Sequence, residues 1–338
     1  MATVRAIHFT AILLLEGAVV FQFAIAAPIL RDIDGGDCRF DGARRFLKWM
    51  VGSSLIVGVL SGAAWLFVLA GRIAGASAAH ALIEGVDWTL LTQTQFGEVW
   101  QWRAAASAIL ALSLAVAWRD TVAPRPSAAI AIVLAIFLAG SLAWAGHGAA
   151  TPGAFGNVHL AADILHLIAA GLWIGGLPPL ALVLAIAART GGAAGLSAAA
   201  RVTRHFSSLA AASVLLLLLS GIVNTYALVG RVSALVDTTY GQLLSVKIGL
   251  FFVMLGFAAV NRLRLTPRLR SGCGNQSARV IARNSMAELI LGVSILVIVG
   301  VLGTLPPATR GHHDGTDAAN AVPARVAVAP RRQSRSSG

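Results

Sequence analysis

His159, Asp163 and His166 follow one another at offsets of four and seven, a spacing that stacks their side chains on one face of an α-helix. Imidazole and carboxylate together are competent ligands for Cu(II), Zn(II) or Ni(II), and the aspartate can either bind metal or orient a histidine as a hydrogen-bond acceptor. His166 would lie about 10 Å along the helix from His159, from the rise per residue. His147 precedes them across a short Gly-rich connection, residues 148–158, which keeps it within reach of the same face. Interface histidines with a helix-packing hydrogen bond to Asp163 are the plainer alternative. Methionine occurs only at positions 1, 50, 254 and 286, so no thioether ladder for Cu(I) is expected.

Further polar groups stand inside apolar runs. His8, Ile12 and Glu16 recur at i,i+4, with Gln22 deeper, and a carboxylate near mid-bilayer is expensive unless paired or hydrated. Glu16 is therefore either a functional group or a protonated acid that joins helices. Lys247 could pair with Asp163, Asp237 or Glu16, or snorkel outward. Asn224 follows Ser220 and Gly221 in a segment suited to close helix approach or to lining a cavity. Asn261 and Arg262 end one apolar run, and Glu288 sits one turn into the next, where Arg283 or Arg262 could neutralise it as a gate, an ion exit or a structural pair.

The elements that must position these residues are membrane helices. The chain of 338 residues is 57% hydrophobic and 12% charged, against about a quarter charged in a soluble domain. A soluble enzyme is thereby excluded as the default, and no enzymatic activity is expected. The formal charge of +12 is read as membrane-flanking arginine rather than as a nucleic-acid surface. Eight stretches are long and apolar enough to span: 7–27, 49–70, 99–118, 127–146, 158–188, 206–229, 241–261 and 285–305. The fifth is too long for one straight span and should break near Pro178 and Pro179. An all-α polytopic bundle follows, with an N-terminal half over 1–150, a C-terminal half over 151–305 and a disordered basic tail over 306–338.

Arginine and lysine collect after spans one, three, five and seven, which places those connections in the cytoplasm and both termini outside. Span one has features of a signal peptide, but its cleavage would strand the basic 31–48 loop outside, so a retained anchor is expected. Cys38 and Cys273 then face the cytoplasm as free thiols. Seven histidines fall on the outer side or in outer halves of spans, and His205 alone lies on the inner side. Gly171 and Gly175, like Gly58 and Gly62, have the small-xxx-small spacing of tight helix packing. Trp88, Trp100 and Trp102 are placed at an outer boundary and Trp49 at an inner one, as interfacial anchors. The 72–98 connection is expected to hold a short surface helix.

The run from His159 to Leu177, with Arg204-His-Phe206-Ser207, Ser220-Gly221-Ile-Val-Asn224, Tyr240-Gly241-Gln-Leu-Leu-Ser-Val-Lys247, Asn261-Arg262 and Arg283-Asn-Ser285-Met-Ala-Glu288, resembles the copper resistance D family of bacterial inner-membrane proteins. The resemblance is specific from about 157 to 305 and looser before it. It implies copper import or tolerance and makes His159, Asp163, His166, Trp173, Lys247, Asn261 and Glu288 the positions to test. Members often work beside, or fused to, a small periplasmic copper-binding domain. No fused domain of that kind is recognisable here, so a separate periplasmic donor is implied. In a transporter, His147, His159, His166 and His8 would capture the ion outside, with Asp163, Glu16 and Asn224 along its passage. No nucleotide-binding loop is present, so ATP-driven pumping by this chain alone is not expected. Two alternatives remain: a b-type haem electron carrier ligated by these histidines, and a membrane copper chaperone that does not transport.

Overall fold

A computed structural model of the protein describes residues 1–31, 40–119, 125–146, 151, 153–190, 192–270 and 273–308. His147, Cys38, His312, His313 and the basic tail from 309 onward lie outside the described residues, and so do the expectations that fall on them. Every regular element among the described residues is helical. Eight helices are long and apolar enough to cross a membrane: α1 (Ala2–Leu30), α2 (Asp41–Ala74), α3 (Gln95–Arg119), α4 (Pro126–Ala145), α5 (Ala154–Arg189), α6 (Ala193–Val229), α7 (Thr239–Leu265) and α8 (Gly274–Leu302). Each of the eight expected spans falls on one of them. The largest difference is α6, which begins at Ala193 rather than 206, because the alanine-rich stretch before Arg201 propagates helix beyond the apolar run.

α5 breaks where the prolines require it. Its two pieces are Ala154–Ile174 and Leu177–Thr190, joined through Gly175 and Gly176. Pro178 and Pro179 fall in the first turn of the second piece, where a missing N–H costs no helical bond. The break turns the chain directly after Trp173, which is almost wholly buried.

α1 and the two pieces of α5 form the buried axis of the bundle. α1 packs against α2, α4, α5 and α8, and the main apolar core draws residues from both halves of the chain. α1 and α5 meet backbone to backbone. A Cβ placed on Gly175 would lie 2.8 Å from the Gly17 Cα, and one on Gly17 would collide with the Gly171 carbonyl oxygen. The small-residue spacing at 171 and 175 thus marks a true close approach. Gly62 of α2 makes room in the same way for the Trp100 ring and for His8.

At the rim, Ala78–Ile83 and Val86–Gln93 form the expected surface structure between α2 and α3, as two short helices. Ser77 caps the first, and His80 pairs with Glu84 at 2.9 Å one turn later. Trp49, Trp88 and Trp102 are exposed, consistent with interfacial anchoring. Trp100 differs from that expectation: its ring turns inward against Trp65 and His8, with centroids 5.9 and 5.5 Å away. α7 leans chiefly on α8, leaving a cleft between α7 and α6.

Candidate functional site

Five of the polar groups singled out by spacing converge on one cavity of about 570 Å³, walled chiefly by α1, α5, α6, α7 and α8. His159, Asp163 and His166 all line it, as offsets of four and seven require of one helical face. Asn224 of α6 and Lys247 of α7 face them across it. Arg5, which spacing alone did not single out, enters from α1, and Tyr240 from α7.

His166 Nδ1 lies 3.0 Å from Ser220 Oγ, whose hydroxyl is 2.5 Å from the Leu216 carbonyl oxygen. That carbonyl can only accept, so the serine proton is directed to it and the imidazole Nδ1–H donates to Ser220. Nε2 is left as a lone pair on the cavity side, the form in which imidazole ligates a metal. His159, one per cent exposed, has its Nδ1 2.8 Å from Thr151 Oγ1. Asp163 Oδ1 accepts from the Asn224 amide at 3.4 Å, a weak contact. Both Lys247 and Arg5 act on Asp163 electrostatically. Neither comes within ion-pair distance of it among the described residues. The described residues contain no cluster of three or more His, Cys, Asp or Glu side chains positioned to hold one metal ion.

His8 is not with this group. It points from α1 toward α2 and α3, where the Arg103 guanidinium donates to its Nε2 and its Nδ1 lies 3.0 Å from Ser61 Oγ. Trp65 and Trp100 flank the ring. Both ring nitrogens are engaged within the protein. Arg103, itself deeply buried, lies over Trp100 at 4.9 Å, and Arg5 lies over Trp65 at 4.6 Å. The result is a buried aromatic and cationic cluster beside the cavity.

Glu16 lies elsewhere again. It is fully buried against α5 at Gly171, lines neither of the cavities described, and neither of its oxygens has a hydrogen-bond partner among the described residues.

A second cavity of about 230 Å³ opens toward the opposite end of the bundle, lined by Thr203, Ser207, Asn261, Arg262 and Glu288 among others. Glu288 Oε1 accepts from the Asn261 amide at 2.8 Å, and Oε2 accepts from Trp173 Nε1 at 3.2 Å. Asn284 in turn donates to Asn261 Oδ1 at 2.8 Å. Neither arginine expected beside Glu288 pairs with it. Arg262 donates to the Ser207 carbonyl and hydroxyl at 2.7 and 2.9 Å, and Arg283 is exposed. Asn261 opens a π-helical turn, Asn261–Leu265, at the end of α7. Such turns interrupt the regular ladder and recur at functional sites. Trp173 borders both cavities, and its ring meets Phe251 edge-on at 6.1 Å.

Residues 1–157 match the family described as copper resistance protein D-like, N-terminal domain, and residues 200–302 match copper resistance protein D. The chain belongs to the copper resistance D family. It is 31% identical over 294 residues to copper resistance protein D of Pseudomonas syringae pv. tomato, covering 86% of this chain and 93% of that one. It is 28% identical to inner membrane protein YebZ of Escherichia coli strain K12, over 90% of this chain and 97% of that one. Against copper transport protein CutJ of Bacillus subtilis strain 168, identity is 32% over 64% of this chain but only 38% of the relative. No solved structure matches the chain. The chain is therefore a multi-pass inner-membrane protein of a copper resistance and transport family.

Proposed function

We propose that the protein carries copper ions inward across the bacterial inner membrane, taking them at the larger cavity. The observation that carries this reading is the His166 imidazole, fixed at Nδ1 by Ser220 and open at Nε2, on the same cavity wall as Asp163 and His159. The lysine and arginine bias supports an outer position for the larger cavity, which reaches the 230–235 connection between α6 and α7. The smaller cavity then faces the cytoplasm, with Asn261 and Glu288 as its polar lining. Relatives named for copper resistance, copper transport and the inner membrane support both the metal and the compartment.

In this reading His166 and Asp163 bind the ion first, with His159 and Asn224 beside them. His8 and Glu16 are structural. Copper arrives from a separate periplasmic copper-binding protein, and the chain has no catalytic role. Binding needs the unprotonated imidazole, so protons compete with the ion and uptake weakens as the outer pH falls.

The haem-carrier alternative needs opposed imidazoles, whereas His159 and His166 share one helical face and His8 is engaged by Ser61 and Arg103. A copper chaperone that does not transport would bind the ion at the same cavity without passing it inward. Cytoplasmic copper measured in cells expressing the protein separates these readings. A rise that disappears in His166→Ala but persists in His205→Ala supports import. Bound copper with no cytoplasmic rise supports the chaperone.

A further inference from the structure

The larger cavity has the wrong charge for a bare cation. Three cationic side chains, Arg5, Arg231 and Lys247, line it against one carboxylate, Asp163. Arg231 stands at the exposed rim, but Arg5 is only 7% exposed: its Nη1 donates to the Ala145 carbonyl oxygen at 3.1 Å, while its Nε has no hydrogen-bond partner and no carboxylate pairs with it among the described residues. Lys247 Nζ likewise makes no hydrogen bond or ion pair among them. Cations held in an apolar span without a direct counter-ion need either water or an anionic ligand.

The cavity is also too large and too poor in ligands for one ion. About 570 Å³ lies in the range of organic-ligand pockets, about 300–1,000 Å³. The described residues offer one open imidazole nitrogen and one carboxylate rather than a closed coordination shell. Much of the wall is apolar, including Leu218, Ile222, Phe251 and Ile295.

We propose that the larger cavity binds a metal already held by a carboxylate-bearing organic ligand. His166 Nε2 takes the open coordination position, and Lys247 and Arg5 take the carboxylate. The inference rests on the larger cavity being the substrate site, and it changes the substrate from a bare ion to a complex. A small organic acid holding copper and a metalloporphyrin with propionates present this same chemistry, and the test separates them.

The full-length protein in detergent is incubated with Cu(II) plus radiolabelled citrate, with Cu(II) plus radiolabelled histidine, or with haemin, and then separated from free ligand. Retention of copper and organic acid together, near one to one, supports the small-complex source. A Soret band that depends on His166 and Lys247 supports the porphyrin source and removes copper import. In either case Lys247→Met, which breaks no direct contact in the protein, lowers retention about ten-fold, and His205→Ala leaves it unchanged. Copper retained without organic acid and unaffected by Lys247→Met overturns the inference while leaving the copper route intact. Retention of none of the three probes also overturns it.

Discussion

Trp173 Nε1 donates to Glu288 Oε2 at 3.2 Å, and the same indole borders both the larger and the smaller cavity. One side chain thus separates the His166 site from the Glu288 network and is tied to that network. Trp173→Phe keeps a ring against Phe251 but removes the donor, leaving a buried carboxyl oxygen without it. A loss of about 1–3 kcal/mol of stability is expected, read as a lower thermal midpoint in detergent. Trp173→Ala removes the partition itself. It should let a membrane-impermeant thiol reagent applied from outside reach a cysteine placed at Ala210, in a background with Cys38 and Cys273 replaced. Protection unchanged from the parent would show that Trp173 does not divide the two cavities.

Ser220 holds the His166 tautomer through its 3.0 Å contact with Nδ1. Ser220→Ala should weaken copper retention about ten-fold, the range seen when an outer partner of a metal-bound histidine is lost. Ser220→Thr, which keeps the hydroxyl, should restore it. Equal retention in all three proteins would separate His166 from metal binding.

The eight spans and the break in α5 were legible because length, apolarity and the Pro178-Pro179 pair act locally. The grouping of His159, Asp163 and His166 was legible too, since helical periodicity alone puts them on one wall. What spacing could not show was which helices face each other. His8 and Glu16 lie on one i,i+4 stripe of α1, yet α1 turns His8 to α2 and α3 and Glu16 to Gly171. Arg5, one turn before His8 on the same side of α1, reaches both the Trp65 ring of that cluster and the cavity. Glu288 was expected beside an arginine. The π-helical turn at Asn261 instead brings an amide to it, and no hydropathy pattern signals such a turn.

His8 accepts from Arg103 within a buried cluster, so its removal should act on folding rather than on metal. His8→Ala is expected to cost about 1.5–3 kcal/mol, the range for a hydrogen bond to a charged group. In protein that remains folded, copper retention per molecule should match the parent. A selective loss of copper with unchanged thermal stability would return His8 to the ligand set.

The α1–α5 contact leaves no room for a methyl group at Gly171, where a Cβ would strike the Glu16 carboxylate. Gly171→Ala should lower stability by about 1–3 kcal/mol through overpacking. Gly249→Ala, where a Cβ meets nothing within 4 Å, should be neutral or slightly stabilising. Comparable melting of the two variants in detergent would contradict the close approach.

Copper flux into sealed proteoliposomes containing the purified protein tests the central claim most directly. The account predicts time-dependent accumulation of copper in the lumen that falls to the level of empty vesicles in His166→Ala and is preserved in His205→Ala. Accumulation that is the same with and without the His166 imidazole, or absent from the parent protein while copper stays bound to it, would contradict transport through this cavity.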